Sequence, residues 1–481
     1  MRELQIHIRL DAGSGKTLYE QIYAYIRDEI RKGSLLQGER LPSARFLSDY
    51  LQVSRTTVDM AYGQLVAEGY LTARPRSGYF VGDAKELFDT GIKDIKTAEK
   101  PLGRNETETC QKCRYDFSPT AIDMSRFPYA TWKKITKNIL VDARSSMFAL
   151  GEPQGDIELR RTICRYLHGS RGVNCEPEQI IVGAGNDFLL LLLEKILGRH
   201  IHVAMENPTY IRAYHIFRSF AYPISLIPMD DRGIRVDKLL ESGAQIAYVM
   251  PSHQYPMGVS MPIGRRMELL QWAADGTDRY LIEDDYDSEF RYKGKPLPSL
   301  QASDRYGHVI YIGTFSKAIA PAIRVSYMVL PHRLLERYRR ECGFFSSTVS
   351  RIDQTILNEF IEDGYFERYL NKMRKFYRMK HDLLLDGLRG FGEDFSISGE
   401  NAGLHVLLTD KRGKSEEELV RLAKEADVKV YSMGTFRMEQ TLAGKSGQKA
   451  GEAPPTMILG YGGLSPEEIT EGIRRLKQVW R

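Results

Sequence analysis

The chain has 481 residues and a formal net charge of +5, with 42% apolar and 27% charged residues. This length predicts more than one domain, and the composition is typical of soluble globular proteins rather than fibrous or disordered ones. Apolar runs fall far short of the roughly 20 residues of a membrane helix and the N-terminus lacks an apolar signal core, so we expect a cytoplasmic protein without a membrane partner.

The cysteines give no sign of a disulfide framework. There are five of them, an odd number that suits a reducing compartment. Cys110 and Cys113 form a CxxC pair, but a structural zinc site needs four ligands and no second pair follows at finger spacing. Together with Cys164, Cys175 and Cys342, these cysteines are scattered over the length of the chain. We therefore predict no metal site.

Short helical patterns and a hairpin are predicted at the N-terminal end. Apolar residues at helical spacing predict a helix over 18 to 33. A Pro-Ser start predicts a short helix over 43 to 52, and after a tight turn Ser54 is a candidate N-cap for a helix ending near Glu68. Residues 70–81 then read as two short strands around a turn.

Two helices joined by so short a turn predict a helix-turn-helix, whose second helix offers its N-terminal residues to the major groove of duplex DNA. Ser54, Arg55, Thr56 and Thr57 supply short donors and one guanidinium there. Arg45 on the preceding helix is a candidate backbone contact. The hairpin tip has the composition of a basic wing, with Arg74, Arg76, Ser77 and Gly78. The alternative is a small helical accessory domain with solvated polar residues.

The chain changes character after the hairpin. Residues 83–114 are polar, charged and without apolar periodicity, which predicts a flexible linker. From about residue 115 onward, helical segments alternate with β-branched runs such as IIVGAG, IAYVMP, YLIEDD and VIYIGT. This alternation predicts an α/β domain with a mostly parallel sheet.

Lys317 in the string GTFSK is the candidate catalytic residue of this domain. A lysine amine becomes a nucleophile when its surroundings favour the neutral form. Backbone N–H groups at the turn of Ala184, Gly185 and Asn186 and the helix that follows can cradle a phosphate. Thr314, Ser316 and Arg324 add hydroxyl and guanidinium partners to the same phosphate.

Further candidates complete a site for pyridoxal 5'-phosphate. Asp284 and Tyr286 come at the end of a predicted strand, where α/β folds place their ligands. The carboxylate can keep a pyridine nitrogen protonated, and the phenol can contact a ring hydroxyl. Tyr210 can stack on the ring, and Arg212 can bind a carboxylate of an effector. An aldimine lysine, an acid at the pyridinium and a phosphate cup are the parts that this cofactor requires.

Two family resemblances follow from these motifs. The string LPSARFLSDYLQVSRTTVDMAYGQLVAEGYLTARPRSGYFV closely resembles the winged helix-turn-helix of GntR-type bacterial regulators, over about residues 15 to 81. This resemblance implies that double-stranded operator DNA is a partner and that it is contacted by Arg45, Ser54, Arg55, Thr56, Arg76 and Gly78. From about 115 to the end, the chain looks like a fold-type I aminotransferase domain, and the fusion resembles the MocR/GabR group of regulators.

The resemblance implies a multidomain chain and an activity. An α+β winged helix-turn-helix over 1–82 and the linker would precede an α/β fold-type I, pyridoxal phosphate-dependent domain over 115–481. Its large subdomain would span about 145–335. By resemblance, a homodimer holds the cofactor on Lys317 as an internal aldimine, and a small amine or amino acid replaces the lysine. We expect a sensor without net turnover; the alternatives are an active aminotransferase with a DNA-binding domain and a metabolic enzyme whose N-terminal domain mediates protein contacts.

Three departures from the aminotransferase pattern affect the site. PSHQYPMG lacks the usual asparagine near the cofactor hydroxyl, so His253, Gln254 or Tyr255 must fill this space, and His253 is taken as the candidate. Ala322 stands where a glycine is usual. The position that aligns with the carboxylate-binding arginine of the C-terminal subdomain is Thr435. Arg437 is therefore a candidate effector contact beside Arg212.

Overall fold

The computed structural model divides the chain into two compact units, Met1–Cys110 and Gln111–Arg481. The predicted linker over 83–114 lies outside the described residues, apart from Cys113 and Arg114. The structure describes residues 8, 10–11, 15–82, 113–141, 145–292, 297–438 and 454–481.

The first unit contains the predicted helices and hairpin. Its helices are Leu18–Arg31, Ala44–Leu51 and Arg55–Ala67. Strand β1 (Leu71–Arg74) pairs antiparallel with β2 (Gly78–Val81). The predicted winged helix-turn-helix is confirmed.

Serine caps define where the second and third helices begin. The Ser43 hydroxyl accepts a hydrogen bond from the Phe46 amide at 3.1 Å, and the Ser54 hydroxyl accepts one from the Thr57 amide at 3.2 Å. These bonds satisfy amides that have no partner within the helix. The three helices and the hairpin close around one apolar core that includes Ile26, Tyr62 and Val81.

The second unit is built on an eight-stranded sheet. Its strand order is β4-β11-β10-β9-β8-β5-β6-β7. Five strands are mutually parallel, namely β10, β9, β8, β5 and β6. Strand β11 runs antiparallel to both β10 and β4, and β7 runs antiparallel to β6. The strands that precede and form this sheet are β3 (Tyr115–Asp116), β4 (Ile180–Gly183), β5 (Val203–Asn207), β6 (Ile224–Asp230), β7 (Gly233–Ile234), β8 (Ile246–Val249), β9 (Tyr280–Asp285), β10 (Val309–Thr314) and β11 (Ser326–Val329).

Both faces of the sheet are buried. On β8, Tyr248 packs into one apolar cluster while its neighbours Ala247 and Val249 pack into another. Burial on both faces explains why the parallel strands appear in the sequence as short continuous apolar runs. The helices that accompany this sheet are Ile157–Arg171, Asn186–Leu197, Ile211–Ser219, Val236–Ser242, Ile263–Ala274, Phe315–Ala318 and His332–Glu341.

A smaller antiparallel sheet, in the order β12-β13-β16-β15, is formed near the C-terminus. The remaining strands are β12 (Phe395–Ser398), β13 (His405–Asp410), β14 (Val428–Lys429), β15 (Tyr431–Ser432) and β16 (Thr456–Gly460). The remaining α-helices of the described chain are Tyr129–Val141, Arg351–Glu362, Tyr365–Arg389, Glu416–Glu425 and Pro466–Trp480. Strand β14 pairs with β3, so the start of the unit joins its C-terminal part.

Together the two sheets confirm the predicted α/β class of the second unit. Strand β4 runs parallel to β10, because β11 is antiparallel to both. The carboxyl ends of β4, β8, β9 and β10 therefore meet at one edge of the large sheet, which is where a ligand site is expected. In the part of the chain that the structure describes, no helix is both long and apolar enough to cross a membrane.

Candidate functional site

A cavity of about 340 Å³ lies at this carboxyl edge. It collects residues from the ends of several strands and from Thr120 and Ile122, close to the start of the unit. The predicted residues that line it are Asn186, Tyr210, Arg212, Asp284, Tyr286, Thr314, Ser316, Lys317 and Arg324. Segments more than 130 residues apart thus form one site.

Lys317 reaches the cavity from the short helix Phe315–Ala318, which directly follows β10. Its Nζ donates to the Pro119 carbonyl oxygen at 3.2 Å and lies 5.2 Å from the centre of the Tyr286 ring. Burial lowers the pKa of Lys317, and the nearby charge of Asp287 opposes this shift. The amine is therefore neutral over a wider pH range than an exposed lysine, as a nucleophile requires.

Asp284 lies at the end of β9 and is held by two donors. The Tyr248 hydroxyl donates to Asp284 Oδ2, and the Asn186 side-chain amide donates to Oδ1 at 3.2 Å. Burial raises the pKa of Asp284 to about 7, although the bond from Tyr248 opposes the shift. Burial disfavours the charged form of this carboxylate, and a cationic partner would stabilise that form. Asp284 is therefore suited to bind a cation.

The residues around Gly185 and Arg324 fit a phosphate group. Gly185 has a φ of 92°, and a Cβ at this position would collide with the guanidinium of Arg324. Only glycine adopts this backbone without strain and lets the cation approach so closely. The Ser316 hydroxyl and Asn186 Oδ1 are buried and have no hydrogen-bond partner among the described residues. Unpaired polar atoms beside a guanidinium are what an anionic ligand would satisfy.

The phosphate contacts predicted at the turn need one correction. The Ala184 amide donates to the Thr348 hydroxyl at 3.0 Å, and the Gly185 amide donates to the Gly183 carbonyl at 2.8 Å. Both donors are therefore engaged within the protein. At this turn the residues that line the cavity are Asn186 and Asp187, at the start of the helix Asn186–Leu197.

His253 does not line the cavity but lies behind its wall. Its Nδ1 is 2.9 Å from the Tyr286 hydroxyl and 2.9 Å from Asp287 Oδ2. Burial alone would raise the pKa of Asp287, but the charge and hydrogen bond of His253 bring this pKa below its usual value. Of the three candidates in PSHQYPMG, Tyr255 is the one that lines the cavity. Its ring packs edge-on against Tyr210, with centroids 6.0 Å apart.

The two predicted effector contacts have different positions. Arg212 lines the 340 Å³ cavity and an adjoining cavity of about 690 Å³, and its Nη1 donates to Asp187 Oδ2 at 3.2 Å. Arg437 lines neither cavity in the described structure; from its loop, Phe436 lines the larger one. The Phe436 carbonyl accepts a hydrogen bond from the Thr209 amide at 3.0 Å, which fixes this part of the loop.

In the first unit, most of the predicted DNA contacts are exposed, whereas Thr57 and Gly78 are half-buried. The Arg55 side chain is 71% exposed and pairs with Asp59 at 3.5 Å, while Arg45 is exposed on the preceding helix. At the wing, Arg76 has a φ of 60° and is exposed. The Thr57 hydroxyl is 2.7 Å from that of Ser54, so both hydroxyls take part in starting the helix.

Two residues that support the site were not predicted from the sequence. Tyr248 donates to Asp284 from outside the cavity lining, and Asp187 lines the cavity and contacts Arg212. Asp187 directly follows the predicted phosphate turn, and its position there was the available signal. A tyrosine inside the apolar run IAYVMP was a weaker signal, because buried tyrosines are common in strands.

Comparison with known proteins agrees with this architecture. Residues 18–81 match the family of bacterial regulatory proteins named gntR, and residues 123–445 match aminotransferase class I and II. The chain is 30% identical to the "probable rhizopine catabolism regulatory protein MocR" of Rhizobium meliloti, over 98% of this chain and 95% of that protein. The chain belongs to the MocR-type transcriptional regulators.

Two further similarities support the MocR-type assignment. The chain is 40% identical to an uncharacterised HTH-type transcriptional regulator, YdeL, of Bacillus subtilis (strain 168), over 96% of this chain and 97% of that one. The crystal structure of a multiple substrate aminotransferase from Thermococcus profundus aligns with a TM-score of 0.67 at 26% identity, over 76% of this chain and 90% of that one. This MocR-type protein is thus a transcriptional regulator with a GntR DNA-binding domain and an aminotransferase-like domain.

Proposed function

We propose that this regulator holds pyridoxal 5'-phosphate at Lys317 and senses a small amine or amino acid there, changing its affinity for operator DNA. The observation that carries the proposal is one cavity that contains Lys317, Asp284 and Arg324. An amine, a buried carboxylate and a guanidinium beside unpaired polar atoms match the aldehyde, the ring nitrogen and the phosphate of this cofactor.

Pyridoxal phosphate supplies an aldehyde that condenses reversibly with primary amines. The chain's own residues supply position and charge. Asp284 would keep a proton on the ring nitrogen, with Tyr248 and Asn186 holding the carboxylate in place. Tyr286 is held by its contact with His253, and its hydroxyl would contact the hydroxyl of the cofactor ring. Arg324 and Ser316 would hold the phosphate.

Arg212 is the effector contact that the geometry favours. Among the described lining residues, Arg212 and Arg324 are the two guanidiniums of the smaller cavity, and Arg212 also borders the larger one. A carboxylate that entered from the larger cavity would meet Arg212 first. Arg437 remains a second proposed contact that would require its loop to change conformation.

The test is an absorption titration of the purified full-length protein with a panel of primary amines and amino acids, with gel shifts and keto-acid assays on the same samples. The expected result is a ligand-specific change in the visible cofactor band, a change in DNA affinity and no keto acid. An N,N-dimethyl derivative of the responding amine should have no effect, because a tertiary amine cannot condense with an aldehyde. A cofactor band that no amine perturbs would contradict the proposal.

The second candidate function is an active aminotransferase that also binds DNA. The observation in its favour is the similarity in structure to a multiple substrate aminotransferase, together with the complete set of lysine and carboxylate in the cavity. Steady production of keto acid in the same titration would establish this function instead. If the affinity for DNA also stayed unchanged at saturating amine, the protein would be an aminotransferase and not a sensor.

Arg55→Ala is predicted to weaken binding of duplex DNA by about 1 to 3 kcal/mol, the usual value of one good groove contact. Arg55 is exposed at the start of the second helix of the helix-turn-helix, where such helices meet the groove. Gel shifts at several salt concentrations measure the effect on a fragment that the wild-type protein selects from a random duplex pool. A phosphate contact would also lower the salt dependence by about one unit of slope.

Lys32→Ala is the matched control for this prediction. It removes one exposed positive charge from the same unit, at the end of the first helix and away from the helix-turn-helix. Its affinity for DNA should stay close to that of the wild type. Equal losses in the two variants would mean that charge alone, and not the position of Arg55, governs binding.

The proposed assembly is a homodimer whose paired heads bind two half-sites. Support comes from the exposure of large apolar side chains on the second unit. Val141 is 74% exposed, Phe148 is 69% exposed and Leu150 is 82% exposed. Light scattering coupled to size exclusion gives the mass that tests this proposal.

A further inference from the structure

A cluster of two thiols and one imidazole lies outside the cofactor cavity. Cys164 and His168 are four residues apart on the helix Ile157–Arg171, so they share one face. The helix ends at Gly172, whose φ of 66° turns the chain back. This reversal brings Cys175 against the same face, so that two cysteines 11 residues apart become neighbours.

The distances within the cluster approach those of a tetrahedral metal centre. The Sγ atoms of Cys164 and Cys175 are 3.9 Å apart, and Cys164 Sγ is 3.9 Å from His168 Nε2. All three ligand atoms lie within 4.8 Å of one another. A zinc ion with ordinary bond lengths would place two sulfurs about 3.8 Å apart and a sulfur and a nitrogen about 3.6 Å apart. Two of the three distances therefore need shifts of a few tenths of an ångström, and the third, between Cys175 Sγ and His168 Nε2, needs to close by up to about 1.2 Å.

The surroundings leave one side of the cluster open. Cys164 is 7% exposed and Cys175 is 5% exposed, whereas His168 is exposed at the surface. Cys164 Sγ donates to the Cys175 carbonyl oxygen at 3.1 Å, and His168 Nε2 lies 3.0 Å from the same oxygen and 3.3 Å from the Cys175 amide nitrogen. The ring nitrogen thus already faces the chain that carries the second thiol, and solvent can supply a fourth ligand on the side of His168.

We propose that Cys164, His168 and Cys175 bind a soft divalent cation, with Zn²⁺ as the physiological ion and water as the fourth ligand. Two thiols and an imidazole are the donor set that Zn²⁺ prefers, whereas Mg²⁺ and Ca²⁺ require oxygen ligands. Each thiol releases its proton to solvent as the ion binds. The ion would fasten the end of this helix to the segment that leads into β4, which carries the phosphate turn at its far end.

Co²⁺ is the probe, because tetrahedral thiolate coordination gives it intense charge-transfer and visible bands. The full-length protein is purified under reducing conditions, freed of metal with a chelator and titrated with Co²⁺. We expect one equivalent of Co²⁺ per chain, a tetrahedral thiolate spectrum and full displacement by Zn²⁺. Cys164→Ser and Cys175→Ser should each lose the thiolate bands, and His168→Gln should weaken Co²⁺ binding.

Two controls make the assignment specific. Cys342→Ser removes another buried thiol and should keep the wild-type cobalt spectrum. Cys113→Ser tests the CxxC pair; bands lost in this variant but kept in Cys164→Ser would assign the ion to that pair and overturn the proposal. His168 is exposed, so His168→Gln should fold normally, and unchanged cobalt affinity in it would remove the imidazole from the site.

Two further results would overturn the proposal. One is the absence of any thiolate-to-cobalt band in the reduced wild-type protein. The other is a disulfide between Cys164 and Cys175, found by peptide mass mapping of protein purified without reductant, in a chain that binds no Co²⁺ after reduction. None of these measurements depends on the cofactor, so failure here and failure of the proposed sensing function can be told apart.

Discussion

Lys317→Ala is expected to abolish the visible absorption band of the cofactor-loaded protein. Lys317 is the one lysine among the described residues that line the cavity, and its lowered pKa makes it the amine available to an aldehyde. Absorption spectra of the wild type and the variant, each incubated with pyridoxal phosphate, measure the effect. Reduction with borohydride followed by peptide mass mapping should place the cofactor's mass on the peptide that contains Lys317 in the wild type only.

Two further variants separate covalent attachment from charge. Lys317→Arg keeps a positive charge near Asp287 but has no nucleophilic amine, so it should lose the band as completely as the alanine variant. Lys238→Ala removes a half-buried lysine that pairs with Glu241 at 2.7 Å and does not line the cavity, and it should leave the spectrum unchanged. A band that survives in Lys317→Ala, with the cofactor mapped to another lysine, would refute the assignment.

Asp284→Asn is predicted to stabilise the cofactor-free protein at neutral pH and to weaken cofactor binding. The folded pKa of Asp284 is about 7, compared with about 3.9 for an aspartate in an unfolded chain. The folded state therefore binds more protons between these values, so this group makes the free energy of unfolding fall as pH rises from about 4 to 7. This loss of stability is absent below the pH window and complete above it. Asparagine does not ionise, so the variant avoids this loss.

Urea unfolding between pH 4 and pH 8, followed by tryptophan fluorescence, measures this difference. Trp132, Trp272 and Trp480 all belong to the second unit, so the signal reports that unit alone. The variant and the wild type should have the same free energy of unfolding near pH 4. Toward neutral pH the variant should become the more stable protein, by at most about 4 kcal/mol. With the cofactor present, the wild type should be the more stable protein, because removing one partner of a buried ion pair costs about 3 to 5 kcal/mol.

Asp231→Asn is the control, since Asp231 is exposed and lies outside the cavity, and the unfolding curves of this variant should match those of the wild type. A constant difference between Asp284→Asn and the wild type across the whole pH range would contradict the ionisation argument. It would mean that the substitution acts through packing or through its bond from Tyr248 instead.

The strands and the presence of Lys317 in the cavity could be predicted from the sequence, but the contacts between strands could not. Short β-branched runs identify β8, β9 and β10, because strands buried on both faces carry apolar side chains continuously. Tyr248 pairs in register with Ile282, and Asp284 lies two residues further along the same face of β9. Register between parallel strands depends on the packing of the whole sheet, so the bond between Tyr248 and Asp284 was not visible in advance.

Loops and chain reversals account for the other differences. Met438 and Asn207 are joined by two backbone-to-side-chain bonds of 3.1 Å, which fix the loop around Arg437 without bringing this residue into either cavity wall. Cys164 and Cys175 seemed unrelated because their meeting depends on the turn at Gly172. Spacing along a helix or strand is readable from a sequence, whereas the direction of the chain after a turn is not.

The carboxylate of Asp187 serves two cations at once. Its Oδ2 lies 3.3 Å from the guanidinium of Arg324 and 3.2 Å from that of Arg212. An anion that settles on Arg324 competes with Asp187 there and adds negative charge close to Arg212. If a cofactor phosphate binds at Arg324 and an effector carboxylate binds at Arg212, as proposed, the two ligands would compete with a common counter-ion, and by reciprocity each would alter the affinity of the other. Occupancy of the proposed cofactor site and sensitivity to the effector would then be linked through one aspartate.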